Sequence, residues 1–259
     1  MRVLTPVLVL VLALPVLAAD PAANYEYEQL MLPVAPSLVF CGYESRYETR
    51  LVAYNDAESQ ASRICENDRC HDVQAKSGRE ITNVDSAGTP LPVFLYVEKE
   101  TAAKMRMSLN VEASTKDKLD ERGFIELPIV RASDFTEGKL QLVGLRMDPG
   151  FRQTVRMFGL NGEMSGYVMM RVYSLMSNEL LFEWPFYVGP LSSEKTSDGK
   201  QLRPAFGMEC DMSAYLKSYG QKVRIDLESM TPGMKYWAFI SVTNNKTQHF
   251  YTVLPKAVN

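Results

Sequence analysis

The stretch Cys65-Glu66-Asn67-Asp68-Arg69-Cys70-His71 is the one place in the chain where two cysteines and a histidine crowd together. Such a cluster can close a disulfide, ligate a metal through thiolates, or cycle as a redox pair. A disulfide requires the chain to reverse. Five extended residue steps span about 17 Å, whereas bonded cysteines keep their Cα atoms within about 4.4–6.8 Å. Asn67 and Asp68 are good turn formers, so a hairpin from Ser62-Arg63-Ile64 into His71-Asp72-Val73 is expected, with Cys65 and Cys70 stapling its tip. Closing so short a loop is worth about 2 kcal/mol, small beside the roughly 5–15 kcal/mol of a whole domain.

A metal site would take Cys65, Cys70 and His71, with Cys41, Asp68 or Asp72 as fourth ligand. Structural zinc prefers closer pairs repeated twice, and no second pair exists. A redox pair would want the tighter Cys-x-x-Cys spacing. The expectation is therefore a Cys65–Cys70 disulfide with no metal and no cofactor. Pairing of Cys41 with either cysteine stays open, as do the states of Cys41 and Cys210. The charges at the tip, Glu66, Asp68 and Arg69, form a candidate recognition loop.

Other chemistry finds little footing. The sequence has no Gly-x-Ser-x-Gly elbow, His-Glu-x-x-His pair, phosphate-binding glycine loop or EF-hand loop. His71 and His249 are its only histidines, which limits acid–base work. His71 is expected in a solvated loop and His249 at solvent or a sheet edge. Glu126, Asp134, Glu137 and Asp148 are scattered over turns and strand ends, where glycosidase chemistry needs two carboxylates held about 5–10 Å apart. No catalytic residue is assigned, and the protein is expected not to be an enzyme.

The aromatic residues allow two readings. Trp184 shares an apolar stripe with Phe182 and Phe186, so core packing is expected. Trp237 alternates with Phe239 against Tyr236, Ala238 and Ile240, and either face could be the inner one. An exposed aromatic row would instead suit sugar stacking. The Met-rich segment 157–176 reads as adaptable core filling.

The elements that must position these residues are strands. Residues 46–56 place Tyr47, Thr49, Leu51 and Ala53 on one side. Residues 104–112 alternate Met105, Met107, Leu109 and Val111 with polar neighbours, the period of a half-buried strand. Residues 153–176 predict a hairpin turning at Asn161-Gly162. Leu180, Phe182, Trp184, Phe186 and Val188 predict one face of a further strand, and two more strands are expected around a turn at Asn244-Asn245. Helical segments are few: one turn over 98–104, and a short candidate over 211–220 with Asp211 or Ser213 as cap.

The chain opens on Arg2 and an apolar run from Val7 to Leu17, followed by small residues suited to signal-peptidase cleavage after Ala18 or Ala19. Residues 1–19 are read as a signal peptide, too short an apolar run to span a bilayer. A secreted or periplasmic protein is expected, with no integral membrane segment in the mature chain. Its net charge is mild, −3 for the full sequence, and no Lys/Arg cluster marks a nucleic-acid partner.

The second half echoes the first. The segment from Leu95 through Val130 and that from Ile225 through Lys256 each run strand, Glu, Thr-containing turn, strand, polar loop, and a strand closing on Leu-Pro. Two tandem domains are expected, residues 20–130 and 131–259, with the boundary around Leu127 to Gly138; a single elongated double sheet is the alternative.

Several segments carry a resemblance: the signal peptide, ETRLVAYND, FIELPIVRASDF, FRQTVRMFGLNG, VMMRVYSL and the closing WAFISVTNN-x-TQHFYTVLP. With these the chain resembles uncharacterised bacterial secreted proteins built from tandem immunoglobulin-like or fibronectin-III-like β-sandwiches. The resemblance implies an all-β fold and an extracytoplasmic place, and brings no catalytic residues. The Cys…Trp…Cys spacing of antibody domains is missing. The functional expectation is an exported, non-enzymatic binding or structural module at or outside the cell envelope. It would use sandwich loops or a sheet edge toward a protein or glycan partner. The alternative is a carbohydrate-binding or carbohydrate-active protein using surface aromatics.

Overall fold

A computed structural model describes residues 27–33, 45–66, 69–82, 93–115, 118–146, 148, 150–159, 166–190, 205–211, 222–247 and 249–258. Residues 1–19 (expected to be a signal peptide), Cys41, Asp68, the Asn161-Gly162 turn and the helical candidate beyond Asp211 lie outside them. The first half contributes β1 (Tyr27–Leu32), β2 (Ser45–Asn55), β3 (Ser62–Glu66), β4 (Arg69–Val73), β5 (Ser77–Thr82), β6 (Val93–Glu98), β7 (Met105–Thr115), β8 (Lys118–Leu127) and β9 (Val130–Arg131). The second contributes β10 (Lys139–Arg146), β11 (Phe151–Gly159), β12 (Gly166–Ser174), β13 (Leu180–Pro190), β14 (Ala205–Asp211), β15 (Lys222–Ser229), β16 (Tyr236–Asn244), β17 (Phe250–Val253) and β18 (Lys256–Val258). One helical turn, α1 (Lys99–Ala102), falls inside the segment expected to hold it.

Every ladder among the described residues is antiparallel, and the two halves repeat one strand order. The first half forms β4–β3–β6–β1–β9 and β5–β2–β7–β8. The second runs β13–β12–β15–β10–β18 and β14–β11–β16–β17, the same orders with each strand replaced by the ninth one after it. In the second half the two sheets are joined where Val188, Gly189 and Pro190 of β13 pair with Gly207, Phe206 and Ala205 of β14, giving one nine-stranded sheet. That sheet doubles back on itself, because one core takes Leu142 of β10, Met170 of β12 and Ile225 of β15 together with Met157 of β11 and Ile240 of β16.

Period-two alternation accounts for most of the packing. Thr49, Leu51 and Ala53 of β2 are buried, and Met105, Leu109 and Val111 of β7 face them with Met107 partly covered. Each fully buried Leu, Val or Met side chain contributes about 1.5–3 kcal/mol of hydrophobic free energy. β16 breaks the alternation because both of its faces are covered. Tyr236, Ala238, Ile240 and Val242 join the second-half core, while Trp237 and Phe239 join Phe158 and Phe250 in the core of the first half. The segment between the halves is itself packed: Phe135 is buried in the first core, and Thr136 exchanges backbone hydrogen bonds with Tyr236.

The hairpin expected over 153–176 does not form. Its strands exist as β11 and β12, but β11 pairs with β14 and β16, whereas β12 pairs with β13 and β15. An Asn-Gly dipeptide marks a turn; it does not say whether the next strand stays in the layer, and here the chain crosses to the other side of the core.

Candidate recognition site

Two hairpins occupy equivalent places in the repeat, β3–β4 in the first half and β12–β13 in the second. In the first, Cys65 lies directly opposite Cys70, their sulfurs are bonded at 2.08 Å and their Cα atoms are 4.0 Å apart. The chain reverses as the spacing required. Cys65 is buried and Cys70 exposed, and Cys65 also faces Tyr96 of β6. Glu66 and Arg69 are the next cross-strand pair, so the ladder closes on them at the tip; Asp68 is outside the described residues.

His71 departs from the expected solvated loop. It lies within β4 opposite the fully buried Ile64, hence on the core-facing side, and is half-buried because β4 is the last strand of its sheet. Arg63 bridges to Asp72 at 2.8 Å across the same hairpin, and its hydrogen bond holds the Asp72 carboxyl below its ordinary value. His249 is exposed just before β17, in keeping with the sequence reading. Cys210 sits in β14 opposite Val155.

The scattered carboxylates serve their own neighbourhoods. Glu126 accepts a hydrogen bond from Ser108 at 2.9 Å, Asp134 from the Arg131 backbone at 2.7 Å, and Asp148 from the Gly150 backbone at 2.9 Å. Among the described residues no three His, Cys, Asp or Glu side chains gather as metal ligands do.

The second hairpin is where the sequence reading needs correcting. Trp184 stands opposite Met170, whose side chain is wholly buried, so its backbone position belongs to the inward row with Phe186 and Val188. Yet Trp184 is 53% exposed. From Phe182 to Val188 the expected stripe is one face, but a bulge places Leu180 opposite Tyr173 on the outer side, and β13 is joined to β14 only from Val188 onward. Trp184 lies outside that joint, where the β14 ladder does not reach. The Phe182 ring, partly packed on the core, lies parallel to the Trp184 ring within 2°, with centroids 6.5 Å apart.

The opposite face of the same hairpin carries a second aromatic pair. Tyr167 and Tyr187 are directly opposite, meet edge to face at 5.4 Å, and are each about half exposed. Leu175 and the strongly exposed Met176 cap the connecting turn. Met176 thus departs from the core role expected of the Met-rich segment, whereas Met157 and Met170 fill the core as expected. Trp237, in contrast, is buried, at 5% exposure.

Comparison with protein-family models, with curated proteins and with solved structures finds no match for this chain.

Charge around the hairpin is already committed. Arg171 of β12 lies 2.6 Å from Glu228 of β15 and 3.4 Å from Glu183 of β13, and the Glu228 hydrogen bond raises its pKa. Behind them Asp226 is 2% exposed on the outer face of β15. Burial opposes its charge, but Lys139 at 2.9 Å, Gln141 at 2.9 Å and Arg224 at 3.0 Å outweigh it and keep the carboxyl below its ordinary value. Arg224 in turn stacks over Tyr173 at 4.6 Å.

Proposed function

We propose that the protein is an exported, non-enzymatic binding or structural module that works at or outside the cell envelope, with the β12–β13 hairpin as its contact surface. One observation carries this. Of the fourteen large hydrophobic side chains exposed among the described residues, six sit on this hairpin: Tyr167, Leu175, Met176, Leu180, Trp184 and Tyr187. Apolar side chains concentrated on both faces and the tip of one hairpin mark an interaction surface, whereas the same residues scattered singly would need no explanation. The bonded Cys65–Cys70 pair suits an oxidising compartment. No helix among the described residues is long and apolar enough to cross a membrane.

In the same proposal residues 1–19 are a signal peptide, and residues 20–130 and 131–259 are tandem sandwiches. The repeated strand order supports the tandem reading. The sandwiches are immunoglobulin-like in the broad sense of two facing antiparallel sheets. Their strand order is their own: β1 and β2 lie in different sheets, whereas the first two strands of an immunoglobulin constant domain are neighbours.

The test is a photo-crosslinking residue placed at position 184 of the mature protein, exposed to its own cell-envelope fraction, with position 80 as control. The expected outcome is adduct formation at 184 that a Tyr187→Ala change weakens, with none at 80. Equal labelling at both positions would remove the hairpin from the proposal. Carbohydrate binding through surface aromatics is the second reading, favoured by the exposure of Trp184.

A further inference from the structure

In thiol–disulfide exchange a thiolate attacks one sulfur along the S–S axis, from the side opposite the sulfur that leaves, so access decides which sulfur reacts. Cys65 and Cys70 are bonded and lie directly opposite on neighbouring strands, and the axis runs across the hairpin from β3 to β4. Its two ends differ. Beyond Cys65 comes β6, whose Tyr96 lies opposite Cys65, and Cys65 is 6% exposed. Beyond Cys70 no further strand pairs among the described residues, because β4 is the last strand of its sheet, and Cys70 is exposed. A thiolate arriving from solvent meets the Cys70 sulfur and is kept from that of Cys65.

A cysteine pair that attacks other disulfides wants the close spacing that lowers a thiol pKa. A pair that is attacked needs only an open sulfur and a place for the leaving one. Cys65 supplies the second condition. Once released it takes a proton from water and stays as a buried thiol opposite Tyr96, a small apolar side chain in apolar surroundings. It also remains across from Cys70, held there by the pairing of β3 with β6, and is placed to restore the bond.

We propose that the Cys65–Cys70 bond is a site of reversible thiol–disulfide exchange, entered at Cys70 by a dithiol partner, and that opening it loosens the tip end of β4. One thiolate of the partner bonds to the Cys70 sulfur as the Cys65–Cys70 bond breaks and Cys65 departs. The partner's second thiolate then attacks its own first sulfur, which breaks the mixed disulfide and releases Cys70. The protein gains two electrons and two protons, and the partner becomes a disulfide. β3 is paired on both sides, whereas β4 is paired with β3 alone among the described residues. The side chains of Arg79 and Asn55 hold the carbonyls of Asp72 and Val73, so the movement falls at Arg69 and Cys70. The site belongs to the first half and is independent of the β12–β13 contact surface, where neither strand contains a cysteine.

The test uses protein purified without reductant, in native buffer, with dithiothreitol as the dithiol and glutathione as a monothiol. Alkylation and peptide mapping follow the bond. Its reduction is expected to rise in proportion to dithiothreitol concentration and to outrun global unfolding. Acid quenching after glutathione should trap an adduct on Cys70. With oxidised glutathione, Cys70 in Cys65→Ser should be labelled about tenfold faster than Cys65 in Cys70→Ser. After reduction, hydrogen exchange should quicken at Arg69 and Cys70 while residues 62–66 stay protected by β6.

Reduction no faster than global unfolding at any dithiothreitol concentration would overturn the inference, since the sulfurs would then be reached only in the unfolded chain. A glutathione adduct on Cys65, or equal labelling of the two variants, would overturn entry at Cys70. Unchanged hydrogen exchange in β4 after reduction would overturn the loosening. The dependence on dithiothreitol is read on the unaltered protein, so it decides the matter even where a cysteine variant fails to fold. Far-UV circular dichroism and the unfolding midpoint report whether each variant has kept its fold.

Discussion

Tyr236 and Trp237 are adjacent in sequence yet belong to different cores: the first packs with Leu227 and Ile240 of the second half, the second with Phe158 and Phe239 against the first half. A strand buried on both faces ties the folding of one half to that of the other, because neither core is complete without β16. Chemical denaturation is therefore expected to show one transition, with Trp237 fluorescence and far-UV circular dichroism coinciding. Two resolved transitions would mean that the halves fold separately despite sharing the strand.

The size of that coupling can be measured. Trp237→Ala removes a large side chain from the first-half core without touching the second, and a buried Trp→Ala change costs about 3–5 kcal/mol. With the halves coupled, the whole transition should move to lower denaturant. Loss of the first half alone, with second-half strands still protected in hydrogen exchange, would contradict this.

Gly166 opens β12 under the corner that follows β15. A Cβ there would lie 2.3 Å from the Thr231 hydroxyl oxygen, 2.6 Å from its Cβ and 2.8 Å from the Met234 sulfur. Gly166→Ala must push this corner away and is expected to cost about 1–3 kcal/mol. Gly78, where the nearest atom would be 3.6 Å away, is the control and should tolerate alanine with little change in unfolding midpoint.

That corner also shows why the sequence echo was visible. The Thr-containing turn noted in both halves holds Thr101 and Thr231, and each reaches the start of the equivalent strand. Thr101 hydrogen-bonds Ser62 at the head of β3, while Thr231 accepts from the Tyr167 backbone at 3.1 Å at the head of β12. Alternation reveals β7 because one of its faces meets water; for β16 it leaves the inner face open, because both faces are covered. Pairing across layers left no local trace, so β11 and β12 were read as a hairpin. Exposure of Trp184 depends on where β14 stops pairing with β13, a fact about another strand that no pattern within 180–188 contains.

The hairpin bond should matter locally. Cys65→Ser with Cys70→Ser removes a cross-link that closes only a short loop, and the ladder from Ser62–Val73 to Glu66–Arg69 remains. The expected loss is about 2 kcal/mol at most, read as a modest fall in thermal midpoint. Peptide mapping without reductant should recover Cys65 and Cys70 as one linked pair; free thiols at both in protein purified without reductant would refute the bond.

Asp226 gives the fold a defined acid sensitivity. Its native pKa lies below the ordinary 3.8, so the unfolded chain binds its proton more readily than the folded one. The stabilisation is therefore complete above about pH 5 and disappears as pH falls through the lowered native value. Asp226→Asn keeps the shape and the Gln141 contact but removes the charge that Lys139 and Arg224 meet. A cost of about 1–3 kcal/mol is expected at pH 7, since those partners are partly exposed and can recover water. The gap between wild type and variant should narrow steadily below pH 4 in denaturant titrations. A gap that stays constant down to pH 2 would show that Asp226 acts through packing and not through its charge.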